Sequence, residues 1–452
     1  MTTFYEFPNG FRIVHQKPIN NLNITSIQCV CDIGSVYEND QTRGSSHFIE
    51  HMCFKGTNKI PVSEDIFKKY DEIGALFNAF TDKRYTCYYI KCNDEYITNC
   101  LIILSDMLLN SIFNKKEYDK ELQVVIQENI KNNDKTSDII SDIIDEMIYK
   151  GTSFEKPVDH INYHSSTKHN KPFNYESILD IYKSFYRPKN IILSIVSNIS
   201  FENILKIINK TYFIQNNSTR MNKSIKVKYS NCIEYGRLTP QHNAQYIVHK
   251  KKGCEINNLA ISFRTCSQYN DDKHCLELLK TIIGDIYNSK MFVLLRQDNG
   301  LTYSSYVTTD YNEISGFFTL NAITDPTKLI HNGNKKGVLP LIVDLLNRLI
   351  ENGITREDLI IAKKYKKGKL SLDLENNDVS ALYNAEHLLL YANYKYISYD
   401  NYYDGYYNNI KLKEINNVMR KYFKKTNLNV CLLGDENTIT ENKLKTECEK
   451  MK

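Results

Sequence analysis

The sequence predicts an α+β fold built from two similar α/β-sandwich domains, each a sheet packed with helices. Three observations carry that prediction. A strand, a helix, a hairpin and two further helices occur in the same order twice, at an offset of roughly 230–240 residues. The chain has 452 residues, room for two or three domains at roughly 100–200 residues each. Hydrophobic residues make up 42% and charged residues 25%, the balance of a globular chain, which argues against disorder as the main state. No run approaches the roughly 20 apolar residues of a membrane-spanning helix.

The elements follow from local pattern. TSIQCVCDIGS (residues 25–35) is β-branched and turns at Gly34, which predicts a buried strand. TRGSSHFIEHMCFKGT (42–57) places a Ser pair before an apolar-periodic run and Gly56 after it, which predicts a helix. ALFNAFTDKRYTCYYIKC (75–92) reads as a hairpin turning at Asp82 and Lys83. Residues 96–113 and 115–133 read as helices, and 185–200 as strand. The second set comprises a strand at 259–266, a helix at 273–285, a hairpin at 299–324 and helices at 339–353 and 355–370. The expected domains are 1–220 and 235–452, joined in the polar stretch around 214–238.

Composition narrows the function classes. The net charge of +5, from 58 basic and 53 acidic residues, is small for this length and does not indicate a nucleic-acid binder. The basic run KKYKKGK (363–369) is expected to be a solvated helix face. The 12 Cys form no CxxC pair, and the start MTTFYEFPNGFRIVHQ has neither a long apolar core nor an Arg- and Ser-rich amphipathic pattern. The expectation is a reducing intracellular compartment, with no signal peptide, presequence or membrane segment. Cys29 and Cys31 lie on one face of the first strand, where core packing is expected rather than metal binding.

The chemistry concentrates in the helix at 44–56, which holds His47, Glu50 and His51 as HxxEH. Positions i, i+3 and i+4 share one helix face, so two imidazoles one turn apart can reach one ion. Zinc accepts such nitrogens at about 2.0–2.1 Å, and a catalytic site takes three protein ligands plus water. Glu50, displaced along that face, is placed to take a proton from water. The segment KEYDKELQVVIQENIKN (116–132) offers Glu121 and Glu128, seven residues apart and therefore on one face. Read by charge alone, these are ordinary solvated helix carboxylates.

Taken together, GSVYENDQTRGSSHFIEHMCFKGT, GALFNAFTDKRYTCYY and KELQVVIQEN, with PNGFRIV before them and LLRQDNGLTYSSY (294–306) after, resemble the pitrilysin-type (M16, inverzincin) zinc metallopeptidases. This is the family of insulin-degrading enzyme and the mitochondrial processing peptidase, and inverted HxxEH is its hallmark. The resemblance implies one Zn²⁺ per chain, held by His47, His51 and Glu128, with Glu50 as general base and Glu121 supporting the site. It implies that Asn78 and Ala79 lie on an edge strand that pairs with extended substrate. It implies that Arg296 and Tyr303 hold the substrate carbonyl and stabilise the tetrahedral intermediate. The implied activity is hydrolysis of short or unfolded polypeptides, by a chain forming one half of a clamshell as a homodimer or with a related chain. The alternative is a catalytically inactive structural or partner subunit. The segment 149–169 departs from the family's glycine-proline turn and holds His160, His164 and His169. Their spacing follows no single helix face, and a solvated loop is expected there.

Overall fold

Runs of β-branched and aromatic residues form two separate sheets of similar topology. The structure is a computed structural model that describes residues 2–158, 174–215, 235–392, 395–435 and 438–452. The first sheet contains β1 (Thr2–Glu6), β2 (Arg12–Gln16), β3 (Ile24–Cys31), β4 (Leu76–Thr81), β5 (Thr86–Asn93) and β6 (Ile191–Val196). Its order is β1-β2-β6-β3-β5-β4, with β2 and β6 parallel and the other neighbours antiparallel. The second contains β7 (Gln245–Lys250), β8 (Asn257–Thr265), β9 (Thr302–Tyr311), β10 (Gly316–Thr324) and β11 (Leu428–Gly434). Its order is β7-β11-β8-β10-β9, and β7 and β11 form the parallel pair. The repeat expected from pattern is thus a repeat of strand order and direction.

Six helices either cover these sheets or carry the titratable side chains singled out by spacing: α1 (Ser45–Met52), α2 (Lys115–Asp134), α3 (Thr136–Ile148), α4 (Asp272–Lys280), α5 (Arg356–Asp373) and α6 (Asn377–Leu390). Strands β6, β8 and β11 are buried along their whole length, and β3 along nearly all of it. A strand covered on both faces reads as a continuous apolar run rather than an alternating one. In the first sheet α6 packs across β3 and β6; in the second α3 packs across β8 and β11. Each of these covering helices comes from the opposite half of the chain. The compact units are therefore Met1–Lys131, Lys156–Glu234 and Leu372–Asp400 for the first, and Asn132–Glu155, Tyr235–Ser371 and Asn401–Lys452 for the second. They are not the continuous stretches 1–220 and 235–452, because a helix can cover a sheet face wherever it stands in the sequence.

The core of the first unit joins Ile27, Cys29, Cys31, Phe48, Ile49 and Met52 with Tyr118 and Val125 of α2. Cys29 and Cys31 are fully buried in it, and burial lifts both thiols above their ordinary pKa. They pack the core, as their alternation indicates. In the second unit Phe423 stacks on Phe263 at 4.7 Å and tilts against Phe318 at 5.0 Å. Among the described residues no helix is long and apolar enough to cross a membrane.

Gly34 shows how the first strand is tied to the hairpin. A Cβ there would stand 2.3 Å from the Asp82 carbonyl oxygen, so only glycine lets the chain pass the hairpin tip. Arg84, just beyond that tip, pairs with Asp32 and donates to the Tyr37 hydroxyl at 2.5 Å.

Candidate metal centre

Helix α1 is capped from outside its own sequence. Gly44 precedes it with φ 83° and offers no side chain. The Glu38 carboxylate fills that role, accepting from the N–H of Gly44 and of Ser46, each at 2.7 Å. It satisfies backbone donors left open in the first turn and places negative charge at the positive end of the helix. Burial pushes the Glu38 carboxyl up to about 7, against the pull of those hydrogen bonds. The Ser pair expected to start the helix lies inside its first turn, buried. Phe48 of α1 meets Tyr118 of α2 edge-on at 4.9 Å. That contact sets the two helices against each other and aligns their polar residues.

The ring nitrogens converge on one point. His47 Nε2 and His51 Nε2 are 3.2 Å apart, and His51 Nε2 is 3.6 Å from Glu128 Oε2. One ligand atom from each of His47, His51 and Glu128 lies within 4.8 Å of the others. A tetrahedral zinc with bonds of about 2.0 Å needs ligand atoms about 3.3 Å apart, close to both measured separations. Two imidazoles and a carboxylate are also zinc's preferred donor types. Among the described residues no other group of histidine, cysteine and carboxylate side chains converges in this way. His160, His164 and His169 lie outside the described residues.

The surroundings orient these donors. Glu121 Oε1 is 2.8 Å from His51 Nδ1, which turns the ring's other nitrogen toward the centre. Lys55 Nζ pairs with Glu121 Oε2 at 2.7 Å. Burial opposes charge on His51, but the Glu121 bond and the charges of Glu50, Glu121 and Glu128 outweigh it and raise its pKa. Burial likewise favours neutral Glu121, and the His51 and Lys55 contacts outweigh it and lower its pKa. Glu50 is only 7% exposed and accepts a hydrogen bond from Thr81 Oγ1 at 2.6 Å. Burial lifts its carboxyl above the ordinary range despite that bond, with Glu128 adding to the rise.

The remaining expected site residues lie elsewhere. Asn78 and Ala79 stand on β4, the edge of the first sheet, and pair with Tyr89 and Tyr88 of β5. The Ala79 N–H donates to Asn78 Oδ1 at 2.9 Å. Arg296 and Tyr303 belong to the second unit. Arg296 donates to the Tyr303 carbonyl oxygen, and Tyr303 is 63% exposed rather than packed into the core. Lys55, Thr81 and Glu38 complete the centre and are not among the residues expected from sequence. Lys55 stands one turn beyond His51, and Thr81 two residues beyond Ala79 on the same strand, so spacing could have proposed both.

The second unit carries an echo of this arrangement. His274 and Glu277 of α4 repeat the spacing of His47 and Glu50, and Leu278 stands where the second histidine would be. Glu277 accepts from Thr309 Oγ1 at 2.7 Å, as Glu50 does from Thr81. Its other oxygen meets the ammonium of Lys366 on α5 at 3.2 Å. Lys363, in the same basic run, donates to the carbonyl oxygens of Asn408 and Ile410 at 2.7 Å each. That run is thus partly spent on internal contacts.

The chain is similar to known proteins along most of its length. Residues 19–162 match the family described as insulinase (peptidase family M16), and 172–365 match the peptidase M16 inactive domain. An uncharacterized zinc protease of Bacillus subtilis, YmxG, is 29% identical over 93% of this chain and 95% of its own length. An uncharacterized zinc protease of Rickettsia bellii is 30% identical over 68% of this chain and 70% of its own. The beta subunit of the mitochondrial-processing peptidase of Dictyostelium discoideum is 26% identical over 61% of this chain and 56% of its own. The fold resembles the crystal structure of a Helicobacter pylori protease with a TM-score of 0.82, at 20% identity, over 96% of this chain and 99% of that one. With the two family matches covering most of its length, the chain belongs to peptidase family M16.

Proposed function

We propose that this chain is a zinc-dependent metalloendopeptidase that hydrolyses short or unfolded polypeptides. The observation that carries the reading is the convergence of His47, His51 and Glu128 on one point with Glu50 beside it. A zinc ion held by His47, His51 and Glu128 would supply Lewis acidity and bring the pKa of a water down to about 7. Glu50, held by Thr81, is placed to take a proton from the attacking water and return it to the leaving nitrogen. Glu121 fixes His51 through Nδ1. The backbone of β4 at Asn78 and Ala79 pairs with an extended substrate, which limits substrates to chains able to unfold into a strand. Arg296 and Tyr303 hold the carbonyl oxygen as charge develops on it. They serve the centre of a second chain, so the working form is a homodimer or a pair with a related chain.

The test is metal content together with hydrolysis of unstructured fluorogenic peptides, for the full chain and for Glu50→Gln. The expected result is one zinc in both proteins and turnover in the first alone. The competing reading, an inactive partner subunit, is supported instead if the zinc-loaded chain shows no turnover alone or with a related chain.

A further inference from the structure

The carboxylate that orients His51 is itself held by a cation. Glu121 is 8% exposed at its side chain; one oxygen faces His51 Nδ1 at 2.8 Å, and the other faces Lys55 Nζ at 2.7 Å. The backbone carrying Lys55 is anchored. The Lys55 N–H donates to the Met52 carbonyl at 3.0 Å, continuing α1 by one turn. Gly56 follows at φ +111°, where a Cβ would stand 2.4 Å from the Pro61 carbonyl oxygen. Thr57 then bonds Asp106 at 2.5 Å. Lys55 is therefore delivered to Glu121 by a turn with little freedom, immediately after the helix that carries His51.

We propose that Lys55 is a positioning residue of the metal centre: its ammonium clamps Glu121 so that the carboxylate holds the His51 ring with Nε2 toward the metal. The inference rests on the metal-centre reading above. A carboxylate gripped at one oxygen only can rotate about its own bond, and the ring it orients then turns with it. Gripped at both, it defines the ring plane before metal arrives. Outer contacts of this kind are worth about 10–100-fold in metal affinity. Lys55 is not among the converging donors, and it acts on the centre through Glu121.

The test is zinc affinity of the full chain, read at one pH by competition with a chromophoric chelator. Lys55→Met is expected to weaken binding by about 10–100-fold, and Lys55→Arg to recover most of it. Glu121→Gln is expected to weaken binding comparably. Lys55→Met combined with Glu121→Gln should bind no more weakly than the worse single variant, because both remove one clamp. Circular dichroism of the metal-free proteins shows whether each variant folds, and Lys55→Gln replaces Lys55→Met if the latter does not. Unchanged affinity in the folded Lys55 variant, or losses that simply add, overturns the role of Lys55. If the unaltered chain binds zinc and His51→Ala does not, the centre stands whatever Lys55 does. If the unaltered chain takes up no zinc, the centre and the role of Lys55 fall together.

Discussion

Thr309 donates to Glu277 at 2.7 Å in the second unit, as Thr81 donates to Glu50 at 2.6 Å in the first. The two carboxylates nevertheless live differently. Glu50 is buried beside the converging His47, His51 and Glu128, and its carboxyl is raised. Glu277 feels burial too, but Lys366 and Lys280 outweigh it and its carboxyl is lowered. The ammonium of Lys366 gives the second unit a built-in cation. Its partner oxygen is 3.2 Å away, with side chains only 21% and 19% exposed. Removing it leaves a largely buried carboxylate short of its charge partner, which costs more than a surface pair does. Lys366→Met should lower unfolding stability by about 1–3 kcal/mol, measured by chemical denaturation, with little change in zinc content. Stability within about 0.5 kcal/mol of the original would show that the pair behaves as a surface pair.

Metal stoichiometry follows from the same comparison. Leu278 supplies no nitrogen, and the basic α5 stands where α2 carries Glu121 and Glu128. The full chain should bind one zinc tightly, and His51→Ala should lose it. A second zinc that survives dialysis in His51→Ala would contradict this assignment.

Thr81 should matter to rate rather than to metal. Its hydroxyl fixes one oxygen of Glu50, and Val has nearly the same shape without the donor. Thr81→Val should reduce kcat by about 5–30-fold, the worth of about 1–2 kcal/mol for a hydrogen bond to a charged group, with zinc content unchanged. An unaltered kcat would mean that Glu50 is held by its packing alone.

Glu386 gives the fold a pH dependence of known sign. It lies on α6, accepts from the Tyr85 hydroxyl at 2.6 Å, and burial with repulsion from Asp82 pushes its carboxyl from 4.5 up to about 7. Between those values the folded chain holds a proton that the unfolded chain has lost. This contribution to stability is therefore complete below about 4.5 and is lost as pH rises through about 7. Glu386→Gln should flatten the fall in unfolding free energy between about pH 5 and pH 7.5, read from denaturation curves at each. An equal slope in both proteins would place the titration elsewhere.

The helix of the candidate metal centre was legible because its chemistry repeats with helical period. His47, Glu50 and His51 share a face by spacing alone, and so do Glu121 and Glu128. The strands were legible from β-branched runs, and β3 begins and ends within a few residues of its expected span. What periodicity cannot carry is a contact made by folding. Glu38 caps α1 across a loop, and no residue spacing marks it. Lys55 stands one turn beyond His51, but only the packing of the turn after α1 against α2 sets Glu121 as its partner. The exchange of α3 and α6 was hidden for a similar reason: an apolar stripe says that a helix is covered, and not which sheet covers it.

Tyr303 is 63% exposed, and Arg296 is held to its backbone rather than to any carboxylate of the centre. A zinc centre open to water would leave the developing oxyanion without a preorganised donor, which is worth about 10²–10³ in kcat. If two chains assemble so that Arg296 and Tyr303 of one protomer serve the centre of its partner, each site draws on both chains. Glu50→Gln and Tyr303→Phe should then each be inactive alone. After mixing under conditions of proven subunit exchange, half of the chain pairs are mixed. A mixed pair holds one site with intact Glu50 and intact Tyr303 and one site lacking both. About a quarter of the original activity should return, since one site in four across the population is intact. The measurement is peptide hydrolysis, with exchange followed by native mass spectrometry. Full activity in a strict monomer, or none after proven exchange, would exclude shared sites between identical chains. A chain active only with a related, inactive partner would instead show both residues acting in different polypeptides.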